Sequence, residues 1–212
     1  LIKNWYNEVK PLSNEDIKIL KSFPFNEVEF KKEFGIKQFL GNKKGLVIKK
    51  SLAAEPTCNI AGIVSGYHAE GAKTVIPAEA RVKIDFRLVP NMDPKKQEIR
   101  LRKHLKSNGF GDIKIKVYHG EAAARTDSKH PFVSHVTSAA SKSFGKYILS
   151  VSSAGTGPMH SFTKILNAPA IAIGSTHVFS RIHSPNEYTR IDLLKKATKC
   201  MCIILENFSK SR

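Results

Sequence analysis

Between Arg81 and Val89 the chain alternates, with Val82, Ile84, Phe86 and Leu88 on one side and Arg81, Lys83, Asp85 and Arg87 on the other. A period of two belongs to an extended strand with one face covered, so residues 81–89 are expected to form a half-buried antiparallel strand. Residues 59–65 read as an earlier strand, and Ile113, Ile115 and Val117, alternating with Lys114 and Lys116, as a later one. Between them Asp93-Pro94 supplies a cap and a proline suited to a first helical turn. Ile99, Leu101 and Leu105 give that helix a modest apolar stripe, and Asn108-Gly109 ends it. Strand, strand, helix, strand is most of a ferredoxin-like α+β sandwich without its opening strand and helix, which are expected upstream of Leu1.

After Arg125 the pattern changes. A helix bearing Val133, Val136, Ala140 and Phe144 is followed by an apolar strand near residues 148–151, a glycine turn and a short helix through Phe162 and Leu166. The run Pro169-Ala170-Ile171-Ala172-Ile173 then ends in Gly174-Ser175, which reads as a buried strand delivering a loop to a cleft. Helices alternating with continuous apolar strands indicate an α/β layer. Residues 191–208 close the pattern as a helix whose Leu194, Ala197, Met201, Ile204, Leu205 and Phe208 are expected to face the core. Residues 1–55 are more irregular and read as a peripheral insertion. Within them Pro11 to Asp16 is a helix start, with Ser13 or Asn14 as cap and acids in the first turn.

Composition adds bounds. The 212 residues are enough for one large domain or two small ones, and their apolar share of 41% is that of a folded globular protein. No apolar run has the length of a membrane span, and the start of the chain lacks the architecture of a signal peptide, so a cytoplasmic protein with no membrane partner is expected. Position 1 is Leu rather than Met, and the numbering is expected to begin inside a longer product. Cys58 stands alone, while Cys200 and Cys202 are two apart on the closing helix and do not face each other; all three are expected to be packing residues. The net charge of +17 opens the possibility of nucleic acid or an anionic surface as partner. Lysines are spread from Lys3 to Lys210 without a compact basic block, so a solvated surface is the favoured reading. A carboxylate-rich half lying elsewhere would also leave this part basic.

The candidate chemistry lies in two stretches. The first runs Pro56-Thr57-Cys58-Asn59-Ile60-Ala61-Gly62-Ile63, Gly66-Tyr67, Lys73-Thr74-Val75-Ile76-Pro77-Ala78 and Phe86-Arg87-Leu88-Val89-Pro90-Asn91-Met92-Asp93-Pro94. It resembles the lid, or dimerisation, domain of the two-zinc metallopeptidases that include carnosinase, cytosolic dipeptidases, succinyl-diaminopimelate desuccinylase, acetylornithine deacetylase and glutamate carboxypeptidase. The Arg-Leu-Val-Pro wording is similar to the dipeptidase branch. The second stretch, Ala154-Gly155-Thr156-Gly157-Pro158 and then His183-Ser184-Pro185-Asn186-Glu187, resembles that family's glycine turn and terminal metal-ligand loop.

The resemblance implies an incomplete α+β ferredoxin-like lid at 56–124, with 1–55 as its peripheral insertion, and the C-terminal part of an α/β catalytic domain at 125–212. It implies that His183 is a ligand of one of two zinc ions, Co2+ or Mn2+ being alternatives, since imidazole suits these metals. Arg87 and Thr74 would contact substrate from the lid, Arg87 through a guanidinium fork suited to a carboxylate or a polarised carbonyl. Gly155 and Thr156 would line the substrate pocket. A lid-mediated homodimer and a peptide or N-acyl amino acid substrate also follow. Read without the family, His183 is a surface loop residue, Arg87 a solvated strand charge, Thr74 a β-former and Gly155 a turn residue. His160 and His177 are weaker cleft candidates, and His68 is incidental.

The family's upstream His-x-Asp motif and its adjacent Glu-Glu pair have no counterpart in these residues, and Ser153-Ala154-Gly155-Thr156 stands where dipeptidases carry Glu-Gly-Gly-Ser. The catalytic general base and a lid His are therefore expected upstream. One His does not hold zinc tightly, so this chain alone is expected to be inactive and metal-free. Two other classes stay open: a non-catalytic dimerisation module, and, less favoured, a basic nucleic-acid-binding domain.

Overall fold

The computed structural model describes residues 1–118 and 120–210. In chain order the elements are α1 (Asn14–Ser22), α2 (Glu27–Glu33), α3 (Leu46–Ala54), β1 (Thr57–Ser65), β2 (Ala80–Arg87), α4 (Pro94–Ser107), α5 (Pro131–Phe144) and α6 (Ile191–Lys210). A 3-10 turn spans Leu40–Asn42 and a π turn Ser161–Ile165. The fold thus mixes helices with one small sheet. Two compact units divide the chain, each made of two stretches: Leu1–Lys10 with Ala54–Ala123, and Pro11–Ala53 with Ala124–Arg212.

In the first unit β1 and β2 form an antiparallel ribbon, from Thr57 opposite Arg87 to Ser65 opposite Ala80, with an irregularity between Ile60 and Gly62. The strand expected from the alternation is present, but its apolar face is not covered: Ile60, Ile63, Val82 and Ile84 are all exposed. No helix among the described elements packs on the ribbon. Only Phe86 gains cover, from the indole of Trp5 with ring centroids 5.0 Å apart. The amino-terminal segment is thus tied to β2, and Glu8 ties it to α4 by accepting from Gln97 Nε2 at 2.7 Å and from both terminal nitrogens of Arg100 at 2.6 and 2.7 Å.

Helix α4 begins as its cap demands, Asp93 Oδ1 accepting from the Lys95 N–H at 2.8 Å. It ends at Asn108 and at Gly109, whose φ of +85° is left-handed and favours glycine. Its buried residue is Gln97, while Ile99 is exposed, because the Glu8 network and not an apolar stripe defines its inner face. Residues 113–117, expected as a strand, have no ladder partner among the described residues. Arg102 Nη2 donates instead to the Ile115 carbonyl at 3.3 Å.

In the second unit Ser13 caps α1 in a reciprocal box with Asp16. Asp16 is buried and also receives Arg125 Nη2 and the Ser128 hydroxyl. Burial pushes the Asp16 carboxyl upward, but the hydrogen bonds from Arg125 and Ser13 outweigh it and hold the group below its ordinary range. Ile19, Leu20 and Val151 form a core with Leu12, Leu46, Ala53 and Leu149 packed against it. Residues 148–151 and 169–173 do not ladder. At the latter, Thr126 Oγ1 accepts from the Ala170 N–H at 2.9 Å and donates to its carbonyl at 2.7 Å. The expected short helix through Phe162 is the π turn.

Helices α5 and α6 pack together. On α5 the inner line runs through Val133, Val136, Ala139 and Ser143, and on α6 through Ala197 and Cys200. Small residues at the seam let the two backbones approach. Leu194, Met201, Leu205 and Phe208, expected in the core, lie off that seam and are exposed. Cys58 and Cys202 are exposed too, so of the three cysteines only Cys200 is a packing residue. No helix among the described residues is long and apolar enough to cross a membrane.

Candidate functional site

Thr74 and Arg87 belong to the first unit. Arg87 closes β2, so the strand's pleat fixes its direction, and its Nε donates to Asp85 Oδ2 at 2.7 Å on the same face. With the Arg87 side chain 44% exposed, the pair with Asp85 contributes little to stability. Thr74 lies in the connection from β1 to β2 and is exposed. That connection folds around an open depression lined by Gly66, Tyr67, Lys73 and residues 75–79. Tyr67 donates its hydroxyl to the Glu70 carbonyl at 3.1 Å and carries Lys73 Nζ over its ring at 5.6 Å.

Gly155, Thr156 and His183 belong to the second unit. The Gly155 N–H donates to Ser153 Oγ at 3.2 Å, which shapes the turn, and its φ is not left-handed. His183 is exposed at φ +64°, in a loop where Arg181 and Asn186 are also left-handed at +58° and +62°. Three such non-glycine residues within six are a strained arrangement of the kind found at ligand clamps. His160 leads into the π turn, and its buried Nδ1 has no partner. His177 accepts the Phe179 N–H on Nδ1 at 3.2 Å and meets the Tyr188 hydroxyl with Nε2 at 2.8 Å. His68 is exposed on the β1–β2 connection. Tyr188 was not legible in the sequence: a single tyrosine in a polar loop carries no periodic signal.

The donor chemistry can be tested against a two-metal centre. Among the described residues no three His, Cys, Asp or Glu side chains gather as a metal ion requires. His183 offers one imidazole, so the chain's own donors do not by themselves fit a zinc site.

Residues 28–112 match the peptidase dimerisation domain of the M20 family. The Cys-Gly metallodipeptidase DUG1 of Saccharomyces cerevisiae is 28% identical over 217 residues, covering 96% of this chain and 43% of that protein. Human Beta-Ala-His dipeptidase is 31% identical over 105 residues, 50% of this chain and 20% of its own. Among solved structures, the M20 family metallo-carboxypeptidase Sso-CP2 from Sulfolobus solfataricus aligns with a TM-score of 0.89 at 35% identity, over 97% of this chain and 47% of that one. Yeast Dug1p aligns with a TM-score of 0.83 at 26% identity, over 99% and 45%. The chain therefore spans about half the length of the relatives it matches over its whole extent. Homologous throughout to these proteins, the chain belongs to the M20 peptidase family, comprising its dimerisation domain and part of its catalytic domain.

Proposed function

We propose that these residues are the substrate-closing half of a metal-dependent hydrolase that cleaves a peptide or N-acyl amide bond, of dipeptidase, carboxypeptidase or deacylase type. The observation that carries the reading is the agreement with Sso-CP2, a metallo-carboxypeptidase, over 97% of the chain at TM-score 0.89 and 35% identity. In this reading the ferredoxin-like lid spans 56–124, with residues 1–55 as its peripheral insertion, and 125–212 are the C-terminal part of the catalytic domain. The protein is a cytoplasmic homodimer formed through the lid.

Arg87, steadied by Asp85 at the end of β2, holds a substrate carboxylate or polarised carbonyl oxygen through its guanidinium fork. Thr74 adds a hydroxyl from the β1–β2 connection. Gly155 and Thr156 present backbone and hydroxyl to the pocket wall, and His183 supplies one imidazole to a zinc centre whose other ligands lie outside these residues. Closure of such a lid excludes water from the reacting bond.

The test is turnover of a dipeptide panel by the protein from its longest reading frame. His183→Ala and Arg87→Ala are each expected to lower kcat/KM by ~100-fold, the size of effect seen when one preorganised group at a reacting centre is removed. Parent-like turnover by both variants would overturn the reading. A stable dimer without metal or turnover would favour the non-catalytic dimerisation module, a rival suggested by the single donor that this chain supplies.

A further inference from the structure

The loop bearing His183 is closed at its neck. The Ser180 N–H donates to the His177 carbonyl and the Tyr188 N–H to the Ser180 carbonyl, both at 3.1 Å. His177 Nδ1 accepts the Phe179 N–H, which assigns the ring proton of the neutral imidazole to Nε2 and makes Nε2–H the donor to the Tyr188 oxygen at 2.8 Å. The two rings also meet edge to face, centroids 5.5 Å apart. Both nitrogens of His177 are thereby committed within the loop, which removes it as a candidate ligand or base.

A second hold comes from α2. Phe179 approaches Phe34 at 6.4 Å, and Phe34 packs on Phe30 at 4.5 Å. Phe30 in turn meets Phe25 at 5.2 Å and Phe39 at 6.0 Å. All of these residues lie within the second compact unit. Ser180, between the two holds, is 1% exposed, whereas residues 181–190 are exposed throughout. The strained segment Arg181 to Asn186 has little burial of its own. It carries one backbone bond of its own, the Ser184 N–H donating to the Arg181 carbonyl at 2.9 Å, and the closure at its base ties its two ends together.

We propose that His177 and Tyr188 are a positioning pair that fixes the conformation of the His183 loop, with the α2 phenylalanine cluster as its seat through Phe34 and Phe179. The aim of the loop at a reacting centre rests on the function proposed above, but the latch itself stands on the geometry of this chain alone.

The experiment is performed on the protein from its longest reading frame, with histidine-labelled NMR of the His183 ring and amide hydrogen exchange of residues 181–186. Tyr188→Phe keeps the ring and removes the hydroxyl. His177→Asn keeps an acceptor for the Phe179 N–H but falls short of Tyr188, whereas His177→Gln reaches the Tyr188 oxygen. Tyr188→Phe and His177→Asn are expected to speed loop exchange about fivefold, the loss of one hydrogen bond, and to move the His183 ring resonances toward those of a free side chain. His177→Gln is expected to restore part of both, a rescue that simple loss of packing would not give. Exchange in α5 and α6 serves as the control for folding.

Release of the loop in Tyr188→Phe, with no amide hydrolysis by the parent, would support the latch while the hydrolase reading fell. Parent-like loop exchange and His183 resonances in Tyr188→Phe and His177→Asn, with hydrolysis intact, would overturn the latch and leave the hydrolase reading standing.

Discussion

The two compact units hold their candidate residues by opposite means. In the first, Arg87 and Thr74 sit on an exposed two-stranded ribbon anchored at one end by Trp5 on Phe86, while Glu8 fastens the same amino-terminal segment to α4. In the second, His183 lies on an exposed loop whose neck is closed by His177 and Tyr188 and whose Phe179 meets Phe34 of a phenylalanine cluster. The first unit leaves rows of apolar side chains on its ribbon open, as a surface that meets another chain would. The second closes its loop with hydrogen bonds at the neck and one ring contact to Phe34.

Variants can break or sharpen this contrast. The largest effect is expected from Arg125→Ala, which leaves the Asp16 carboxylate buried without its cation; unfolding of the second unit should become easier by ~3–5 kcal/mol in a denaturant titration. Trp5→Ala should cost ~3 kcal/mol and act on the first unit alone, which amide exchange resolved by region would show. Arg100→Ala, breaking the half-buried fork on Glu8, should cost about 2 kcal/mol and free the same segment. Arg87→Ala should change unfolding by less than ~0.5 kcal/mol while turnover falls, since its ion pair is exposed.

Acid provides a graded version of the first test. The Asp16 carboxyl is depressed in the folded state, so its contribution is full above the ordinary carboxylate value of about 4 and is lost as pH falls through the lower folded value. The Arg100 hydrogen bonds, working against burial, depress Glu8 in the same direction. Denaturant midpoints measured between pH 6 and pH 2 should fall for the parent, and Asp16→Asn should flatten the part belonging to the second unit.

The parts of the fold written in local chemistry were legible in the sequence. Ser13 and Asp93 are caps whose side chains reach the next turn, and Asn108-Gly109 stops α4 by backbone conformation alone. The segments at 113–117, 148–151 and 169–173 were not, because a strand exists only with a neighbour, and no ladder partner lies among the described residues. Helix α6 has apolar residues on more than one side, so periodicity alone did not reveal that the small Ala197 and Cys200 make the seam. The residues proposed for the site were readable through family wording around Arg87 and His183. The phenylalanine seat and Tyr188 were not: Phe34 meets Phe179 across more than a hundred residues, and the Tyr188 contact with His177 lies in a loop without periodicity.

The most direct test of the central claim is metal content and dipeptide hydrolysis of the protein expressed from its longest reading frame, with and without chelator. Two metal ions per chain and turnover abolished by chelation and restored by Zn2+ are the predicted result. A folded protein that takes up no metal and hydrolyses no dipeptide or N-acyl amino acid would contradict it.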